Sequence, residues 1–195
     1  MYNVGIFLFK DVELLDYAGP YEVFSVTSEL NEHKLFKVFT VSEDGAAVRS
    51  VNGLRALPDY SFADHPPIDI LVVPGGIGTR IAYKNDMVLD WIKNVSANAQ
   101  IVMSVCSGAR ILGAVGLLDG KEAVTHHSVA GHLRETAPGA IVLDDKRYTD
   151  NGKVMTSGGI SAGIDLSLHI VTKLYGQEIA NKTIKYMEYG DWRSL

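Results

Sequence analysis

The sequence predicts an α/β fold: an open, doubly wound, mostly parallel sheet with helices on both faces. Three observations carry this. Short apolar runs alternate with helical patterns along the whole chain, as βαβ units require. The run Ile68–Val73 has the character of a central strand covered on both faces. Residues able to do chemistry (Asp16, Gly75-Gly76, Cys106-Ser107 and His126) fall just after expected strands, where an open α/β sheet forms its ligand crevice.

The elements follow in order. Tyr2 to Phe9 is the first strand; with no basic segment before it, and Asp11 and Glu13 straight after, it does not read as a signal sequence. Leu14 to Gly19 leads to Pro20, suited to the first turn of a helix carrying Tyr21, Val23, Phe24 and Val26. Leu35 to Val41 is a second strand. Gly53 to Phe62 is extended or hairpin sequence, with Pro58 confining it to an edge. Ile68–Val73 ends in Pro74-Gly75-Gly76-Ile77-Gly78, and a helix follows around Met87 to Val95. A strand then runs into Cys106, with a helix after it through Leu118. Ala123 to Thr125 is a short strand leading to His126-His127 and a helix from Val129 to Thr136. Ile141–Leu143 and Val154–Ser157 bracket the turn Asp150-Asn151-Gly152. A glycine-rich segment, Gly158 to Gly163, opens a helical region from Ile164 to about Tyr189, broken near Gly176.

At 195 residues the chain is one domain, residues 1–195. That length buries roughly 70% of the unfolded surface without staples. A net charge of −5 and the lack of a dense Lys/Arg cluster argue against a phosphate-backbone binder. One cysteine excludes an intrachain disulfide and suits a reducing cytoplasm. No apolar run is long enough to span a bilayer. No Cys, His or carboxylate cluster has metal spacing, and the Gly75-Gly76-x-Gly78 run lacks both dinucleotide and Walker spacing, so no cofactor is expected.

Cys106 is the residue on which function turns. The β-branched run Ile101-Val-Met-Ser-Val105 enters it, and Ser107-Gly108-Ala109 lets the chain turn sharply into a helix. Strand, nucleophile, small residue, glycine, helix is the geometry that exposes a nucleophile at the top of an α/β sheet. Helix N-terminal N–H groups there are expected to lower the thiol pKa. The competing reading is a buried cysteine acting as a small hydrophobe.

Several motifs, in their joint order and spacing, resemble the ThiJ/PfpI superfamily over nearly the whole chain. They are Leu15-Asp16-Tyr17-Ala18-Gly19-Pro20-Tyr21-Glu22-Val23-Phe24, Val73-Pro74-Gly75-Gly76, Val105-Cys106-Ser107-Gly108-Ala109, Gly116-Leu117-Leu118-Asp119-Gly120, Thr125-His126 and Thr156 to Asp165. Within that superfamily the pattern is most similar to isonitrile (isocyanide) hydratases and to the sensing domains of AraC-type regulators. The resemblance implies a flavodoxin-like, class I glutamine amidotransferase-like domain, a homodimer, and a nucleophilic Cys106.

By the same resemblance Asp16 stands where hydratase-like members carry an acidic partner of the cysteine. A carboxylate beside a thiolate is self-defeating unless the two share a proton, and Asp16 with Cys106 then becomes a local acid/base pair. The bland alternative for Asp16 is a dipole-stabilising residue at a helix start. Gly76 and Ser107 are candidate backbone N–H donors to developing charge, with a tight turn as the alternative for Gly76. His126 matches a histidine near the cysteine, and Ile160 a pocket wall. Glu22 has a structural or supporting role. Ser107 stands where relatives often carry Thr, and the tail Met187-Glu188-Tyr189-Gly190-Asp191 departs from the family's usual end.

The function expected is cofactor-independent, cysteine-dependent hydration of a small isonitrile to an N-formamide. A non-catalytic metabolite or redox sensor, or a glyoxalase- or deglycase-like activity on reactive carbonyls, are the alternatives. Regulator-like relatives carry a helix-turn-helix pair after this domain. This chain stops near the end of the core domain, so no nucleic acid is expected to bind through it.

Overall fold

The computed structural model describes residues 1–195. A seven-stranded sheet forms its centre. β1 (Tyr2–Phe7) lies between β2 (Phe36–Ser42) and β6 (Ile70–Val73), parallel to both. β7 (Ile101–Val105) and β11 (Val154–Ser157) extend the parallel run beyond β6. β5 (Tyr60–Ser61) closes one edge in parallel, and β10 (Tyr148–Asn151) closes the other as the single antiparallel neighbour. Two small two-stranded sheets lie outside: β3 (Val48–Arg49) with β4 (Arg55–Ala56), and β8 (Glu122–Ala123) with β9 (Ile141–Val142).

Alternation along the strands splits the core in two. Val4, Ile6, Ile70, Val72, Met103 and Val105 face one way, toward α1 (Leu14–Glu29), α6 (Ala162–Tyr175) and α7 (Gln177–Tyr186). Phe7, Leu71, Val73 and Val102 face the other, toward α3 (Asp86–Asn98), α4 (Ala109–Ala114) and α5 (Ala130–Thr136). A parallel strand covered on both faces must be apolar at consecutive positions, which is why β6 and β7 are fully buried. A further short helix, α2 (Thr79–Ala82), follows the glycine-rich turn after β6.

The chain leaves β1 toward β2 and later returns to β1's other side as β6, so the topological switch lies between β1 and β6. The crevice beyond their carboxyl ends is the expected ligand position.

Several boundaries differ from the sequence reading. Pro20 does not open α1; it lies inside, with Leu14 to Gly19 already helical. Proline has no N–H to return to the carbonyl four residues back, here that of Asp16. α4 ends at Ala114 rather than Leu118, because Gly116 turns the chain with φ of +75°. The short strand after Lys121 pairs in a side sheet rather than the main one. β10 has no apolar run to announce it: Asp150 and Asn151 belong to that strand, and Gly152-Lys153 is the hairpin turn into β11. The break at Gly176 is present, with φ of +88°.

Candidate active site

Four chain segments meet beyond the sheet's carboxyl end, each contributed by a different strand. Cys106 follows β7 directly and adopts φ of +57°, a left-handed conformation rare for any residue with a Cβ. Its backbone is pinned on both sides: its N–H donates to the Gly158 carbonyl at 3.0 Å, and its own carbonyl accepts from Thr125 Oγ1 at 2.7 Å. The chain then makes a single 3-10 turn, Cys106–Gly108, into α4. Gly108 is obligatory there, since a Cβ would lie 2.1 Å from the Val73 carbonyl oxygen. Cys106 is 8% exposed and lines a cleft of about 240 Å³.

Asp16 comes from the first turn of α1 and has no solvent exposure. Its Oδ2 accepts the Gly75 N–H at 2.9 Å and its Oδ1 accepts the Ile160 N–H at 3.1 Å. Its charge acts on the Cys106 thiol, raising that thiol's pKa. Gly75 must be glycine: a Cβ would come within 2.5 Å of the Ser107 nitrogen and 2.8 Å of Asp16 Oδ2. Ile160 pays a conformational cost for its bond, with φ of +57° on a β-branched residue.

The electrostatics correct one expectation. Burial raises the Asp16 carboxyl to about 7, opposed by the Gly75 N–H and reinforced by Glu13. Burial and then the Asp16 charge push the Cys106 thiol up to about 12, and the Ser107 N–H recovers only part of that. The thiol pKa is therefore raised, not lowered. The helix N-terminus contributes a donor, but loss of water around the sulfur outweighs it. The pair loses its first proton near 7 and holds the second through the neutral range, so above pH 7 a carboxylate faces a thiol.

The Ser107 hydroxyl is tied to the loop after β6. Its Oγ accepts from the Gly76 N–H at 3.0 Å and from Thr79 Oγ1 at 3.1 Å. The Gly76 N–H, expected as an open donor, is thus engaged by Ser107; the Ser107 N–H favours charge on the Cys106 sulfur. His126 lines the cleft, but its Nδ1 bonds Ser128 Oγ at 2.8 Å rather than the cysteine. Burial, with His127 alongside, lowers its pKa. Ile160 lines the same cleft. Glu22 is exposed on α1 and is not among the cleft's lining residues.

Three charged lining residues carry no sequence signal for the site: Glu13, Arg80 and Arg110. Glu13 is marked only by its position three residues before Asp16, and nothing distinguishes the arginines from surface charge. A larger cavity of about 530 Å³ lies beyond His126 and Ile160 and does not include the sulfur. No group of three or more His, Cys, Asp or Glu side chains is arranged to hold a metal, and no helix is long and apolar enough to cross a membrane.

This fold and this elbow define a class: flavodoxin-like α/β proteins with a cysteine presented at a strand-to-helix turn, partnered by a buried acid. The chain belongs to the DJ-1/PfpI family, whose profile matches residues 2–173. It is 38% identical over 187 residues to an isonitrile hydratase of Pseudomonas putida, covering 96% of this chain and 78% of that protein. It is 25% identical to the HTH-type transcriptional regulator GbdR of Pseudomonas aeruginosa over 91% of this chain, but spans only 48% of that regulator. Among solved structures, a ThiJ/PfpI family protein from Pseudomonas syringae superposes with a TM-score of 0.87 at 29% identity, covering 96% of this chain and 75% of that one. Drosophila melanogaster DJ-1beta superposes with a TM-score of 0.82 at 21% identity, covering 97% and 98%, a likeness of fold.

Proposed function

We propose that the protein hydrates a small isonitrile to the corresponding N-formamide, with Cys106 as nucleophile and Asp16 as its acid/base partner. The observation that carries the reading is the buried Asp16 carboxyl, with a pKa of about 7, held by two backbone N–H groups and electrostatically coupled to the chain's one thiol, which lines an open cleft. The likeness to an isonitrile hydratase supports it.

As Sγ bonds to the terminal isonitrile carbon, the thiol proton passes to Asp16, which needs no free thiolate beforehand. Asp16 then delivers that proton to the same carbon, giving a thioimidate. Next it takes a proton from the attacking water and gives it to the imidate nitrogen, and collapse of the adduct, with loss of the new hydroxyl's proton to Asp16, breaks the C–S bond. The formamide leaves and the sulfur regains its proton, so one water is consumed overall. The Ser107 N–H steadies charge at the sulfur, while Gly76 acts through the Ser107 hydroxyl it holds. Ile160 and His126 wall the cleft. No cofactor enters the sequence of steps. Homodimer formation and a cytoplasmic location belong to the same proposal. They are supported by family likeness and by a lone unpaired cysteine, which suits a reducing compartment.

The test is direct. Purified protein mixed with a model isonitrile should deplete it and release formamide. Equal rates for wild type and Cys106→Ala would reject the reading, and peroxide oxidation of Cys106 without turnover would favour a sensor.

A further inference from the structure

The cleft above Cys106 has an unexplained cationic wall. Arg110 is 7% exposed, and its single hydrogen bond runs from Nη1 to Thr79 Oγ1 at 3.2 Å. Its Nε is buried with no partner at all. Arg80 lines the same cleft from α2, exposed, and forms no ion pair. No Asp or Glu pairs with either guanidinium. The two are near enough that Arg80, after burial, holds the Arg110 pKa down. Burying a guanidinium beside a second one, without a counter-charge, is costly, so folds place such groups where a ligand supplies the anion. The one carboxylate lining the cleft, Glu13, is left unpaired, and it repels an anion from its own side.

We propose that Arg110 and Arg80 form an anion subsite, and that the molecule reacting at Cys106 carries a carboxylate seated on them. Arg110 and Cys106 line the same small cleft, so a carboxylate on the guanidinium sits a few bonds from the reacting carbon. The cleft volume of about 240 Å³ falls below the roughly 300–1,000 Å³ of sites for drug-sized ligands, which restricts the substrate to a small acid. A guanidinium fork binds a planar carboxylate through paired N–H donors, which supplies the counter-charge Arg110 lacks. Joined to the hydration proposed above, on which this part rests, the substrate class is a short isonitrile acid.

Two measurements separate the subsite from the reaction. The first needs no turnover: the rate of Cys106 alkylation by iodoacetate relative to iodoacetamide, referenced to free cysteine. The subsite should raise that ratio about tenfold or more in the wild type, and Arg80→Ala and Arg110→Met should return it toward the free-thiol value. The second compares kcat/KM for isocyanoacetate and its methyl ester. The acid should be favoured about tenfold, and the preference should collapse in both variants. Arg80 is exposed, so its variant keeps the test available if Arg110→Met fails to fold. A wild-type alkylation ratio no higher than that of free cysteine, or one unmoved by Arg80→Ala, overturns the subsite. Anion-favoured alkylation without isonitrile turnover upholds the subsite and removes the hydratase reading. Turnover with no preference for the acid does the reverse.

Discussion

Two residues in this protein hold the same uncommon conformation on neighbouring strands, for different ends. Cys106, directly after β7, and Ile160, three residues after β11, both sit at φ of +57°. At Cys106 the left-handed turn presents a side chain: the sulfur is thrown toward the cleft and Asp16. At Ile160 it presents a backbone group, the N–H that binds Asp16 Oδ1 at 3.1 Å. Each conformation costs on the order of 1–3 kcal/mol. In the first case the cost is inseparable from the residue's identity, and in the second it is incidental to it. Strain at a functional site therefore marks a position without saying whether the side chain or the main chain is the working part.

Substitution separates the two. Cys106→Ser keeps the turn and removes the nucleophile, so isonitrile hydration should fall by about a thousandfold or more while the circular dichroism spectrum is unchanged. Retained activity would break the contrast at once. Asp16→Asn, which can accept only one of the two N–H groups now bound, should cost about a hundredfold in kcat/KM. The wild-type profile should rise with pH through about 7, as the carboxyl becomes the base that takes the thiol proton, and stay level far into the alkaline range because the thiol ionises only near 12. That inflection should vanish in the variant.

The same group links pH to stability. A carboxyl whose pKa is raised on folding keeps its proton in the native state after the unfolded chain has lost it. The fold is therefore penalised progressively as pH climbs from about 4 to about 7, and the penalty is constant above that. The size is on the order of 4 kcal/mol. Denaturant midpoints at pH 4.5 and 7.5 should show this decline in the wild type and lack it in Asp16→Asn.

Gly75→Ala tests the backbone seat shared by both turns. Its Cβ would meet the Ser107 nitrogen at 2.5 Å, so a loss of about 2 kcal/mol in stability is expected, with activity reduced about tenfold. Smallest of all should be Ile160→Gly. It keeps the N–H and relieves the strain, so activity should stay within about threefold and stability within about 1 kcal/mol of wild type. A large loss there would mean that the isoleucine side chain, and not its N–H, is what the site requires.

Much of this architecture could be read before any coordinates. Continuous apolar runs announce β1, β6 and β7, and the run into Cys106 followed by Ser107-Gly108 announces the elbow. Asp16 was reached through family likeness, since nothing local distinguishes it from an ordinary helix-start acid. Its true position inside α1 was hidden by Pro20, which is favoured in a first turn yet is tolerated here deeper in the helix. The direction of the thiol shift could not be read, because it depends on how much water the whole fold removes from the sulfur. The partnerless state of Arg110 was equally invisible: a missing counter-charge is a property of tertiary neighbours.

The pairing of β11 with β7 sets Ser157 level with Val105, and so sets how far residue 160 hangs from residue 106. Asp16 is translated early, the thiol midway, and one of the carboxylate's two backbone donors only in the last fifth of the chain. A nascent or truncated chain carries both reactive groups without the clasp that aligns them. Competence at the sulfur thus arrives late in synthesis, once the final strand has zipped into register.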